Sequence, residues 1–229
     1  MAVDLTDPVG DDDARDDLIA YFNEDGERRY TGRRFDSFAG GGDLPGVQDV
    51  FTPEDLLAVQ ALSVVVPSET VFDLLGGPLG RELTALLARV PVDVELGTRD
   101  ARKLVQGPVL EAWQLLKEQK RIGYVTAGKL IARKRPHLIP VYDEVIRCQF
   151  GGPQQVWIRL HDRLREDDGQ LRGMLAALRT RAQISPRISL LRVLDVVLWM
   201  RHHAEHLDKD CPGFGTVSLD RLWPESEEE

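Results

Sequence analysis

The most informative part of the sequence is residues 121–147, RIGYVTAGKLIARKRPHLIPVYDEVIR. Gly123 and Pro136 mark turns within it, because glycine and proline interrupt helical backbone. Between them, Thr126 is a residue type that caps helix N-termini. We therefore predict a tight turn at Gly123, followed by a short helix that is capped by Thr126 and ends near Lys134.

Helical signals continue on both sides of this stretch. Before it, apolar residues recur at helical spacing in Val109, Ala112, Trp113 and Leu116. After it, the segment from Ser189 to about His206 is apolar over most of its circumference. The first pattern predicts the helix that leads into the Gly123 turn, and the second predicts a central buried helix.

A further helix start lies at Thr52-Pro53-Glu54-Asp55, which combines an N-cap residue, a proline at the first helical position and an acidic capping-box residue. This helix is predicted to run through about Val65. Alternation typical of a strand is limited to residues 92–96. The predicted fold class is all-α, a compact multi-helix domain that is helix-hairpin-helix-like.

The domain organisation follows from charge and glycine content. Residues 1–50 are predicted to form an acidic, Gly-rich, irregular N-terminal arm that packs only locally. Residues 51–209 form the helical domain, and residues 210–229 form a C-terminal tail that ends in acidic residues.

Composition excludes several classes of protein. A net charge of −9 argues against indiscriminate coating of nucleic acid, which depends on broad phosphate neutralisation. No apolar run approaches the roughly 20 residues that cross a bilayer, so no membrane partner is predicted. The two cysteines, Cys148 and Cys211, form no CxxC pair, and the acidic N-terminus is unlike a signal peptide. A cytoplasmic location is therefore predicted.

The sequence predicts no cofactor and no resident metal. It contains no P-loop, no GxGxxG after a strand and no GxSxG elbow. His202 and His206 share one helical face, but Glu205 does not occupy the HExxH position and a third ligand is lacking. The oligomeric state is left open.

Positive charge is concentrated around the predicted turn. Residues 117–147 hold eight basic and three acidic side chains in a chain of net charge −9. Helix N-termini bind anions through free N–H groups, so we predict contact with DNA phosphate or another phosphate ligand. An ordinary solvated helical face is the alternative. The predicted contact residues are Lys120, Arg121, Gly123, Tyr124, Thr126, Lys129, Arg133, Lys134 and Arg135.

Two local motifs resemble helix-hairpin-helix DNA glycosylases. Ile122-Gly123-Tyr124-Val125-Thr126-Ala127-Gly128-Lys129-Leu130 is similar to their hairpin, Gly-apolar-Gly-x-Lys-Thr-Ala, and Ile139-Pro140-Val141-Tyr142-Asp143-Glu144-Val145 is similar to their Pro-Val-Asp-x-x-Val segment. The resemblance implies a pocket lined by Asp143 and Tyr142, with Asp143 as the catalytic carboxylate.

The chain departs from that pattern at three positions. Arg121 replaces the first glycine of the hairpin, and Val125 occupies the position of the family's catalytic lysine. Asp143 lies one residue further from the proline than the family's catalytic aspartate does. Because valine cannot form an imine with the sugar, excision of a base would have to use water as the nucleophile. Lys129 is then the nearest amine.

Over most of the chain, the sequence resembles an actinobacterial family of unknown function. The resemblance is carried by Tyr30-Thr31-Gly32-Arg33, Thr52-Pro53-Glu54-Asp55-Leu56, residues 129–143 and Leu194-Asp195-Val196-Val197-Leu198-Trp199. It implies a bacterial cytoplasmic protein and supplies no activity.

Three functions therefore remain open. The first is DNA or phosphate binding through 117–137, and the second is a monofunctional glycosylase-like hydrolase that uses Asp143. The third is a non-catalytic protein-interaction module whose basic face meets an acidic partner, for example residues 1–17 of its own arm. We expect a hydrolase to hold Asp143 in a cleft with Lys129 and Arg133 at the rim, and not paired with Arg147 on an outer face.

Overall fold

Helices account for the regular secondary structure in a computed structural model of the chain, which describes residues 5–23, 30–150 and 153–207 and contains no strand in them. The predicted all-α class is confirmed, as a multi-helix domain. The α-helices are α1 Thr6–Gly10, α2 Asp12–Phe22, α3 Pro53–Gln60, α4 Ser68–Gly76, α5 Pro78–Leu87, α6 Ala101–Leu104, α7 Leu110–Lys117, α8 Tyr124–Lys134, α9 Glu144–Phe150, α10 Pro153–Arg165, α11 Gln170–Arg181 and α12 Leu190–Leu207.

Helix α12 lies at the centre of the domain, as predicted. Its apolar residues between Leu191 and Leu198 are buried, and it packs against α2, α9 and α11. The Ser189 hydroxyl accepts a hydrogen bond from the Arg192 N–H and so caps its first turn. Among the described residues, no helix has the length and apolar character that a membrane crossing requires.

The capping box of α3 is present as predicted, with Thr52 N–H donating to the Asp55 carboxylate at 3.0 Å. The helix is shorter than predicted, because it ends at Gln60 rather than near Val65. Two tertiary hydrogen bonds take the next carbonyls: the Thr31 hydroxyl donates to Ala61 C=O, and Lys129 Nζ donates to Leu62 C=O. The chain therefore turns away after α3.

The N-terminal arm was predicted to be irregular, but part of it is helical. Residues 5–23 contain α1 and α2, which pack on α11 and α12. Ala14, Leu18 and Tyr21 follow helical spacing and are buried, but the density of acidic residues around them hides that pattern in the sequence. Arg201 of α12 pairs with Asp11 and Asp17. Residues 1–17 were proposed to cover residues 117–137, but the described part of this segment packs against α11 and α12. The predicted 210–229 tail lies outside the described residues.

Candidate functional site

The basic run at the end of α8 is buried. Lys129, Arg133, Lys134 and Arg135 are all at most 5% exposed. These four residues were predicted to contact phosphate, but the structure places their side chains inside the domain and not on its exposed surface. A cation inside a protein needs partners, and the structure supplies them from a distant loop.

That loop is the Gly-rich segment 35–49, whose backbone carbonyls accept hydrogen bonds from the three consecutive basic residues. Arg133 donates to Phe35, Asp36 and Phe38; Lys134 donates to Gly42 and Val47; and Arg135 donates to Gln48. Irregular backbone has few internal partners, so its buried carbonyls need donors from elsewhere. The basic run fixes this loop to α8.

Asp55 supplies the charge that balances this cluster. Its Oδ1 lies 3.1 Å from Arg133 Nε, its Oδ2 pairs with Lys134 Nζ, and its side chain is 2% exposed. Gly42 packs so closely that a Cβ there would lie 2.8 Å from Asp55 Oδ1. A buried carboxylate thus joins α3, α8 and the loop 35–49.

The exposed part of the predicted phosphate surface is the turn before α8. Lys120, Arg121 and Gly123 are exposed there. Gly123 is the N-cap of α8, so the predicted cap at Thr126 is wrong: Thr126 lies half-buried inside the first turn. No side chain caps this end of the helix. Two cations and uncapped N–H groups therefore remain at the surface of this turn.

Arg121 lies in the left-handed region, with a φ of 64°, where a Cβ is unfavourable. We expect Arg121→Gly to raise the free energy of unfolding by about 0.5–1 kcal/mol, since glycine relieves most of that strain despite its larger unfolded-state entropy. Denaturant titration measures the change. Arg121→Ala is the control, because it removes the same charge and keeps the strain; equal stability of the two variants would contradict this account.

A pocket of about 510 Å³ that combines charged and aromatic residues lies next to α8, and we call it the Asp143 pocket. It lies between α2, the segment 30–32, the turn after α3, α8, the start of α9 and α12. Its charged and aromatic lining residues are Lys129, Asp143, Glu144, Arg192, Asp195, Tyr21, Tyr30 and Trp199. Pockets of this volume suit small organic ligands.

Asp143 enters the pocket at the N-terminus of α9. Its Oδ1 accepts a hydrogen bond from Ile146 N–H at 3.0 Å, which holds the carboxylate in one orientation. Within the described part of the chain, no hydrogen bond to its Oδ2 is found. Arg147 pairs with Glu144 and not with Asp143. The pocket therefore contains an oriented carboxylate with one oxygen available.

Tyr142 does not line the pocket, in contrast to the prediction. Val141 and Asp143 line it, whereas the side chain between them is fully buried and packs edge-on against Tyr124, 5.8 Å between ring centroids. Successive side chains of an extended segment point to opposite sides. Burial raises the pKa of Tyr142 well above its usual value, so its hydroxyl stays protonated.

Lys129 is the lysine of the Asp143 pocket. It lies on the same face of α8 as Val125, four residues earlier, and both line the pocket. Its Nζ donates to Leu62 C=O at 2.9 Å. Burial lowers the pKa of Lys129, although Asp143 and Asp195 act in the opposite direction. A buried amine and a carboxylate thus share one cavity, while Arg133 lies outside it.

The floor of the pocket on α12 is a buried ionic network around Arg192. Its Nε lies 3.1 Å from Asp36 Oδ2, its Nη1 pairs with Asp195, and its Nη2 donates to the Tyr21 hydroxyl at 2.7 Å. Burial raises the pKa of Asp195 to about 7, against the attraction of Arg192. The residues of this network were not among the predicted site residues.

Aromatic rings form one side of the pocket. Tyr21 and Tyr30 stack with their centroids 5.2 Å apart, and Trp199 lies nearly perpendicular to Tyr30 at 5.7 Å. Tyr21 is buried, whereas Tyr30 and Trp199 are partly exposed. These two rings offer apolar surface beside the carboxylates, which suits a flat ligand.

Beside Glu144 of the pocket, hydrogen bonds between side chains join α8 to α9. The Tyr124 hydroxyl donates to the Glu144 carboxylate, and Arg147 Nη1 donates to the Tyr124 hydroxyl at 2.8 Å. Burial and the Glu144 carboxylate raise the pKa of Tyr124 to about 12. Tyr124, predicted to contact phosphate, is therefore engaged with α9.

A family model described as a family of unknown function (DUF6308) matches residues 14–202. The chain belongs to the DUF6308 family. The match covers α3 to α11, most of α2 and α12, and every residue that lines the Asp143 pocket. No curated protein and no solved structure matches the DUF6308 chain.

Proposed function

We propose that the chain is a hydrolase that cleaves the bond between a nitrogenous ring and its sugar, with Asp143 as the catalytic carboxylate. The observation that carries this proposal is the placement of Asp143 in a pocket with aromatic side chains, with Oδ1 held by α9. The ring lies against Tyr30 and Trp199. Stacking of a base on an aromatic side chain contributes about 1–3 kcal/mol.

The reaction breaks the bond between the sugar carbon and the ring nitrogen. The ring nitrogen takes the bonding electrons and a proton, and water adds its hydroxyl to the sugar carbon. Asp143 stabilises the positive charge that develops on the sugar and orients the water, since a fixed anion beside a developing cation lowers the barrier. Val125 cannot form an imine with the sugar, and we take water as the nucleophile of this hydrolysis.

The turn before α8 supports a substrate that carries phosphate. Gly123 lies two residues before Val125, which lines the pocket. Lys120 and Arg121 are exposed in the same turn as Gly123. In this proposal the turn contacts the phosphate backbone of DNA while the pocket takes one base. Such contacts position the substrate and carry little sequence information.

The hydrolysis is tested with the wild-type protein on oligonucleotides that contain uracil, alkylated, oxidised or hypermodified bases. Free base is measured by mass spectrometry. Release from at least one member of the panel is the expected result, and no release from any member would overturn the proposal.

Phosphate contact by the turn is tested by changing its two cations. In Lys120→Ala/Arg121→Gly, the slope of log binding constant against log salt should flatten by about 2, because each duplex phosphate contact contributes about 0.9. The matched control, Lys103→Ala/Arg165→Ala, removes two exposed cations of α6 and α10. Equal slopes for the two double variants would exclude the turn from binding.

A further inference from the structure

The amine of Lys129 has surroundings unlike those of a surface lysine. The residue is 5% exposed, lines the Asp143 pocket and donates to the backbone carbonyl of Leu62. Surface lysines stay protonated and hydrated, whereas a lysine removed from water can become a nucleophile. Asp143, Asp195 and Glu144 act to raise the pKa of Lys129, whereas burial and Arg192 lower it.

No structural ion pair accounts for this burial. Arg133 and Lys134, the other buried cations of α8, both pair directly with Asp55. Among the described residues, Lys129 makes no ion pair within 4.0 Å, and its Nζ donates its one hydrogen bond to the neutral carbonyl of Leu62. No directly bound carboxylate therefore holds the amine in its protonated form, and the neutral amine has its lone pair available for attack on a ligand in the pocket.

We propose that Lys129 forms an imine with a ligand that carries an aldehyde or ketone group. The proposal goes beyond the hydrolysis and rests on the pocket alone. The ligand class is a small polar carbonyl compound, such as an open-chain sugar aldehyde, since the cavity combines carboxylates with aromatic rings.

Imine formation requires a nucleophilic nitrogen and one proton donor, and Lys129 and Asp195 supply them. The Nζ lone pair attacks the carbonyl carbon, a C–N bond forms, and one amine proton moves to the carbonyl oxygen to give a carbinolamine. Asp195 supplies one further proton, the hydroxyl leaves as water, and a protonated imine remains. Burial, which raises the pKa of Asp195 to about 7 and lowers that of Lys129, favours both partners in the required protonation states.

Reductive trapping tests the proposal without any DNA. The full chain is incubated at neutral pH with glycolaldehyde and cyanoborohydride, and modified peptides are quantified by mass spectrometry. We expect Lys129 to be modified at least about 10-fold faster than the exposed Lys103 and Lys120, because only Lys129 lies in a pocket with Asp195, which supplies the proton for the loss of water. Modification of Lys129 no faster than of these two lysines would overturn the proposal.

Lys129→Arg is the matched variant, because it keeps the positive charge and a donor for the Leu62 carbonyl. It should abolish the adduct in this peptide and leave modification of Lys103 and Lys120 unchanged. If the adduct forms equally in another peptide of the pocket, the assignment to Lys129 fails. Trapping by a protein that releases no base would remove the proposed hydrolysis and leave this inference standing; base release without trapping would do the reverse.

Discussion

Replacing Asp55 with alanine is expected to lower the free energy of unfolding by about 4 kcal/mol or more. The change leaves two buried cations, Arg133 and Lys134, without their anion, and breaking a buried ion pair from one side costs about 3–5 kcal/mol. It also removes the capping-box bond to Thr52 N–H. Denaturant titration followed by circular dichroism measures the loss.

Glu54→Ala is the control for this prediction. Glu54 is the neighbouring acidic residue in the first turn of α3, but it is exposed. Its removal should change the free energy of unfolding far less than that of Asp55, because solvent screens an exposed charge near a helix N-terminus. If Asp55→Ala does not yield folded protein, Asp55→Asn keeps the shape and an acceptor and gives a measurable intermediate loss. Losses of similar size for Asp55→Ala and Glu54→Ala would contradict the buried cluster.

Local patterns predicted much of the helical framework. The capping box at Thr52 and the apolar character of α12 are properties of neighbouring residues, and both are present in the structure. The same reasoning failed for α1 and α2, because charge density outweighed the spacing of Ala14, Leu18 and Tyr21. Helix amphipathicity carries the signal there, and composition hides it.

The burial of the basic residues 133–135 could not be predicted from these residues alone. Arg133 binds Asp55 and Phe35, which are 78 and 98 residues away in sequence. Whether a cation is solvated or buried depends on those distant partners, and nothing between residues 129 and 135 indicates that a Gly-rich loop will need its donors. A run of positive charge is therefore weak evidence for a binding surface.

The candidate site was predicted in part. Asp143 lies in a pocket with Lys129, but Tyr142 faces the core because the two side chains alternate along an extended segment. The aromatic wall of Tyr21, Tyr30 and Trp199 comes from both ends of the chain, so only the tertiary fold brings these rings together. The spacing of Tyr21 on α2 is the one local signal that could have indicated it.

Asp143→Asn is expected to reduce base release by at least about 100-fold, since catalysis by a positioned carboxylate contributes about 10²–10⁴-fold. Asparagine keeps the acceptor for Ile146 N–H, because asparagine and aspartate cap helices about equally well. Stability and DNA affinity should therefore stay close to those of the wild-type protein. Asp162→Asn, at an exposed position that pairs with Arg102 outside the pocket, is the matched control.

The most direct test of the catalytic role of the Asp143 pocket is the single-turnover rate of base release on the best substrate of the panel. We predict an unchanged rate for Asp162→Asn and losses of at least about 100-fold for both Asp143→Asn and Asp143→Ser, which retain a capping side chain without the charge. Asp143→Asn and Asp143→Ser proteins that fold normally and release base at the wild-type rate would contradict it, and Asp143 would then be no more than the cap of α9.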